Sequence, residues 1–222
     1  MLPEIEIGGY LFINISSIVG PDFAERTDTL GLCLHHSVSG VADIDINLSG
    51  STEDEEIALI KAINAYHRDT NGWSCGLGYN AIVFASGRVY VVGKCNGQRA
   101  HVKSKNDILA GIVMAGNYSG VRPSQTLIEG VARWVNAMDT EYRSHLTPSG
   151  KLTLEGHRWW ADVSDPTACP GDMGYSIIDD VLTLVDGNIY QEENVPTQEE
   201  FDDLKAEVRS QWETLHGRAW DD

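Results

Sequence analysis

Residues 154–172, LEGHRWWADVSDPTACPGD, decide how this chain is read. They place His157 and Cys169 twelve positions apart, with a polar, aspartate-rich loop between them. The stretch closes on Cys169-Pro170-Gly171, a turn that can continue neither a helix nor a strand. An imidazole and a thiolate brought together across such a loop are donors that suit zinc. Two ligands do not complete a site. A third is offered by Leu32-Cys33-Leu34-His35-His36-Ser37, where an apolar run ends abruptly in two histidines. Successive strand residues face opposite sides, so only one of His35 and His36 can line a given pocket. Two histidines and one cysteine would leave a fourth tetrahedral position open, the pattern of a catalytic rather than a structural zinc.

Around these residues the chain alternates strand and helix signals. Residues 1–30 mix short apolar runs with turns such as Gly20-Pro21-Asp22 and carry no recognisable chemistry. Residues 29–36 read as a buried strand that delivers the histidines. Residues 38–50 read as a solvated rim loop; Asp43, Asp45 and Asn47 do not have the glycine and glutamate spacing of a calcium-binding loop. Thr52-x-x-Glu55 is a capping box, and a helical apolar stripe follows it to about His67. Ser86-Gly87 predicts a hairpin between strands at 79–85 and 89–93, and residues 108–115 predict a further buried strand. Helices are predicted over about 124–142 and 173–185, with a short strand at 152–155 leading into Gly156-His157. Interleaved strands and helices without internal repeats predict a single α/β domain.

Composition narrows the function. The 222 residues include 42% hydrophobic types, enough for a sizeable core, and carry a formal net charge of −17. A surface that acidic argues against nucleic acid and against anionic lipid as partners. No run approaches the roughly 20 apolar residues that span a bilayer. The start, with Glu4 and Glu6 and no basic segment, does not read as a secretory signal. Cys33, Cys75, Cys95 and Cys169 are too few and too dispersed for a disulfide framework and are expected reduced. Beyond residue 187 the composition shifts. Phe201, Leu204, Val208, Trp212 and Leu215 form an apolar stripe on a highly charged helix, which either docks on the domain or pairs with a second copy.

Taken in order, short segments spell a family. Leu34-His35-His36-Ser37, Tyr66-His67 with Gly72-Trp73, Gly78-Tyr79-Asn80, Gly87-Arg88-Val89-Tyr90, Ala100-His101, Gly111-Ile112 with Gly116-Asn117, and Gly156-His157-Arg158 with Thr167-Ala168-Cys169-Pro170-Gly171 follow one another over about residues 29–185. Any one is weak, but the ordered set resembles the zinc-dependent N-acetylmuramoyl-L-alanine amidases shared by phage lysozymes and animal peptidoglycan recognition proteins. The resemblance implies a mixed central β-sheet flanked by helices, with one zinc ion at the floor of a surface groove. It assigns the metal ligands to His35, His157 and Cys169 and the catalytic roles to Tyr79 and Thr167. His36, His101 and Trp73 are its candidates for substrate contact. Two departures stand out. Trp159-Trp160-Ala161 is more aromatic than the usual continuation, and Val113 occupies the position where one amidase branch carries a catalytic glutamate.

The expected activity is hydrolysis of the amide between N-acetylmuramic acid and L-alanine in bacterial peptidoglycan. Residues 1–187 would form the catalytic domain and 188–222 an amphipathic helical tail, a possible route to a homo-oligomer. The chain is expected to act as a phage endolysin, held in the host cytoplasm until it is released to the wall. Two other readings are a peptidoglycan-binding module without catalysis, against which Cys169 counts, and a cytoplasmic amidase that recycles anhydro-muropeptides.

Overall fold

The computed structural model describes residues 2–27, 29–38, 51–92, 95–146 and 153–185. Its centre is a seven-stranded mixed sheet of β1 (Glu4–Ile7), β2 (Tyr10–Asn14), β3 (Gly31–His36), β4 (Ala81–Val83), β5 (Val89–Val91), β6 (Leu109–Met114) and β7 (Leu154–Gly156). The order across the sheet is β1-β2-β5-β4-β6-β3-β7. β4, β6, β3 and β7 run parallel to one another, as do β2 and β5, whereas the β1–β2 and β4–β5 pairs are antiparallel. The α/β class and the mixed sheet flanked by helices agree with the sequence reading.

Alternation along β3 explains both layers. Leu32 and Leu34 belong to the cluster that packs on α2 (Gln125–Leu146), where Leu127, Ile128, Val131, Trp134, Val135 and Met138 form the opposing stripe. On the other side of the sheet, Ile82, Tyr90 and Val113 meet Leu59, Ile60 and Ile63 of α1 (Glu53–Asp69). Cys33 packs in a third cluster with Leu109 and Trp160. Near-continuous apolar runs in β3 and β6 are what a strand covered on both faces requires. The capping box forms as the sequence indicates. Thr52 Oγ1 accepts from the Glu55 backbone at 3.3 Å, and Glu55 Oε2 accepts from the Thr52 backbone at 2.7 Å.

Several elements depart from the sequence reading. The first residues form a β-hairpin, its Gly8-Gly9 turn having φ 55° and 84°. The helix expected over 173–185 is two, α4 (Asp172–Tyr175) and α5 (Ile178–Leu184), with Ser176 and Ile177 forming the joint. A one-turn helix, α3 (His157–Trp160), begins at the histidine itself. The rim loop at 39–50, the domain boundary at 187 and the amphipathic segment at 188–222 lie outside the described residues.

Candidate metal centre

Strand register builds the site. β3 and β7 lie side by side and parallel, with Leu34 opposite Gly156, so the next residues, His35 and His157, stand at neighbouring carboxyl ends of the two strands. Their ring centroids are 4.6 Å apart. The segment carrying Cys169 is then folded back over this edge. Gly156 permits the approach: a Cβ there would lie 2.6 Å from Tyr175 Cδ2 and 2.7 Å from Pro170 Cδ. The Arg158 backbone N–H donates to the Cys169 carbonyl at 2.8 Å, tying the start of α3 to the turn after the loop.

The outcome is a compact donor set. One ligand atom each from His35, His157 and Cys169 lie within 4.8 Å of one another. His35 Nδ1 and Cys169 Sγ are 3.6 Å apart. A tetrahedral zinc with ordinary bond lengths to sulfur and nitrogen places two such ligands about 3.6 Å apart, so the residues fit the metal. His35 is buried, whereas His157 and Cys169 are half-exposed, which leaves one side of the cluster facing outward.

Burial sets the protonation states. It holds His157 down to about 4 and His35 well below the ordinary histidine range, where neighbouring His157, His101 and His36 add to the effect. It pushes the Cys169 thiol up to about 12, against the His36 backbone N–H and the Arg158 charge, which both favour the thiolate. Neutral imidazoles are ready to ligate; the thiol must give up its proton to a cation.

The other expected residues are placed as follows. Tyr79 is half-buried, its ring centroid 5.0 Å from that of His35, and burial raises its phenol so that it stays protonated. Thr167 Oγ1 accepts the Cys169 backbone N–H at 3.2 Å, so it shapes the turn that presents the sulfur. Trp73 is half-buried against His67, with centroids 4.7 Å apart, and His67 in turn lies 5.7 Å from Tyr79. His67 is thus an uncounted member of the aromatic wall; its position in the Tyr66-His67 motif was the available signal. His36 turns to the opposite face of β3, where its Nδ1 accepts the Tyr118 N–H at 3.2 Å. Its backbone N–H nevertheless reaches Cys169 Sγ at 3.4 Å.

His101 occupies a place unlike that of a substrate contact. It is 7% exposed and lies behind His35, its Nδ1 3.2 Å from His35 Nε2. A second group of three donors, Cys33, His35 and His101, is fully buried. The hydrogen bonds of His101 to His35 and to the Leu109 carbonyl, at 3.2 and 3.0 Å, already occupy both of its nitrogens. With both His101 nitrogens engaged and all three residues buried, this inner group is a poor metal site. Val113 pairs in register with His35 and is completely buried, a hydrocarbon beside the cluster.

The loop between His157 and Cys169 is also anchored. Trp160 is buried and donates its indole N–H to the Leu32 carbonyl at 3.3 Å. Lys105 Nζ donates to the Trp160 carbonyl at 2.7 Å and to Asp162 Oδ1 at 2.5 Å. The unusual Trp-Trp pair therefore has a packing reason.

The profile of the N-acetylmuramoyl-L-alanine amidase family, Amidase_2, matches residues 26–172, more than half of the chain. The chain belongs to this amidase family. All three candidate ligands and Tyr79 fall inside the matched span. Among curated relatives, the peptidoglycan-recognition protein SC1a/b of Drosophila simulans is 34% identical over 114 residues, covering 51% of this chain and 57% of the relative. The human N-acetylmuramoyl-L-alanine amidase is 27% identical over 121 residues, covering 54% of this chain and 20% of the relative. The chain thus spans little more than half the length of the first and a fifth of the second. Among solved structures, Apis mellifera PGRP-SA superposes with a TM-score of 0.61 at 20% identity, covering 76% of this chain and 94% of that one. Human PGRP-IBETAC, solved in complex with glycosamyl muramyl pentapeptide, gives 0.62 at 23% identity, with the same coverages of 76% and 94%. At these identities the structural likeness establishes a shared fold. The amidase-family domain here is therefore a single α/β unit that shares the fold of these proteins.

Proposed function

We propose that this amidase-family chain is a zinc hydrolase that cuts the amide between the lactyl group of N-acetylmuramic acid and L-alanine of the stem peptide. One observation carries the proposal: His35, His157 and Cys169 converge with donor atoms within 4.8 Å of one another on a side that faces outward. A zinc ion held by these three would polarise the scissile carbonyl and lower the pKa of a bound water. The chain's own groups do the rest. Tyr79, kept protonated by burial and with its ring beside that of His35, would donate a hydrogen bond to the carbonyl oxygen as it gains negative charge. Thr167 holds the Cys169 turn in shape. Trp73, half-buried at the rim, offers an aromatic face against which a sugar or stem peptide can pack. Val113 supplies no carboxylate, so proton transfer to the departing amine falls to the protic groups that remain and to solvent.

The test is direct. The purified protein is assayed for zinc and incubated with isolated peptidoglycan. New N-terminal alanine without new reducing sugar ends is the expected product pattern. Several relatives are named as recognition proteins, which supports a second reading of binding without cleavage. Retention on sacculi with no new N-termini, from a zinc-loaded sample, would establish that reading instead. A role in host lysis forms part of the same proposal, and it fails if the active protein leaves intact sacculi undigested.

A further inference from the structure

We infer that His101 is a positioning residue that fixes the tautomer of His35 and so presents Nδ1 of that ring to the metal; this rests on the zinc reading above. The relay begins at a backbone carbonyl. Leu109 O can only accept, and His101 Nε2 lies 3.0 Å from it, so Nε2 carries the proton. A neutral imidazole protonated at Nε2 has an acceptor at Nδ1. His35 Nε2 lies 3.2 Å from that acceptor and must therefore be the N–H partner. His35 is left with its lone pair on Nδ1, the nitrogen 3.6 Å from Cys169 Sγ. One carbonyl of β6 thereby dictates, through two rings, which nitrogen of His35 can ligate.

The surroundings are built for this ring. The His101 backbone N–H donates to Asn106 Oδ1 at 2.9 Å, fixing the turn that bears it. Gly111 of β6 lies against its imidazole: a Cβ there would stand 2.8 Å from Cγ and 3.0 Å from Nδ1. Any larger residue would push the ring out of line with both partners. A partner on the far nitrogen of a ligating histidine orients the ring and raises its basicity, and loss of such a partner typically weakens metal binding about 10- to 100-fold.

The experiment uses the full chain and two readouts that do not depend on turnover. Zinc affinity is measured by competition with a chromophoric chelator, and the tautomer of His35 by ¹⁵N imidazole spectra of the metal-free protein. The parent should show His35 protonated at Nε2. His101→Leu should weaken zinc binding about 10- to 100-fold and mix the His35 tautomers. His101→Asn, whose Oδ1 can stand where Nδ1 stood, should restore much of both. Gly111→Ala, which keeps the histidine but displaces it, should move both readouts in the same direction as His101→Leu and serves if that variant does not fold. Parent-like affinity and tautomer in His101→Leu would overturn the inference, as would an Asn variant no better than Leu, which would mark mere packing. A parent that binds no zinc would defeat the metal reading and the affinity claim. The metal-free spectra would then still decide whether His101 sets the tautomer.

Discussion

Lys105 and Asp162 face each other with Nζ and Oδ1 2.5 Å apart, both almost wholly buried, and this pair clamps the turn after His101 to the loop that leads to Cys169. The contact joins segments 57 residues apart and holds no ligand itself. Removing one member deprives the other's buried charge of this partner, and breaking a buried pair typically costs about 3–5 kcal/mol. Lys105→Met and Asp162→Leu should therefore each lower the melting temperature by on the order of 10 °C. The double variant should lose less than the two single losses added together. Additive losses in thermal unfolding would show that the two groups do not act as a pair.

Zinc uptake should release one proton. Burial holds the Cys169 thiol at about 12 and His157 at about 4, so near neutrality only the thiol has a proton to surrender. Apparent affinity should then rise about tenfold per pH unit between pH 6 and 8. Chelator competition at several pH values measures the slope. A flat profile would mean that the thiolate is already formed without metal.

Acid should destabilise the metal-free domain. His36, His67 and His157 are each held at about 4 and His101 at about 3, below the ordinary 6.5, chiefly by burial. The unfolded chain binds more protons than the folded one in that window, so stability falls as pH drops from 6.5 towards 4. Each such histidine contributes up to about 1.4 kcal/mol per pH unit. Denaturant midpoints measured from pH 7 to 4.5 should fall steeply. An unchanged midpoint would show that these rings are protonated in the fold.

Tyr79→Phe should keep the fold and the metal and slow hydrolysis on the order of 10²–10³-fold, the usual cost of one lost oxyanion donor. Zinc content together with turnover on isolated peptidoglycan makes the comparison. Parent-like turnover would take the hydroxyl out of the reaction.

His36→Ala should retain zinc, because its backbone N–H, not its ring, touches Cys169 Sγ. The ring accepts from Tyr118, so a stability loss of about 1–3 kcal/mol is expected. Loss of the metal in this variant would place the wrong ring at the site.

The sequence disclosed the sheet, the helices on both faces and the donor set, because these depend on local periodicity and on residues at motif spacing. The hairpin at the start is faint in the sequence even though Gly8-Gly9 is a turn signal, because strands of four and five residues carry little periodicity. The joint at Ser176–Ile177 was hidden because Ile177, Ile178 and Val181 keep a helical rhythm across it, all three completely or largely buried. The place of His101 could not be read at all. It depends on a contact with a residue 66 positions away, which only the assembled sheet supplies.

β3 is paired residue by residue with β6 and, through part of its length, with β7. Because side chains alternate, a slip of a single residue in that alignment would carry His36 to the cysteine and turn His35 toward α2. Adjacent histidines at the strand end make such an error chemically plausible, since a misaligned chain could still offer an imidazole to a cation. It would, however, arrive without the His101 partner, on a ring free to present either nitrogen. On the zinc reading proposed above, tight capture of the ion would report that the strands have mated in the correct frame.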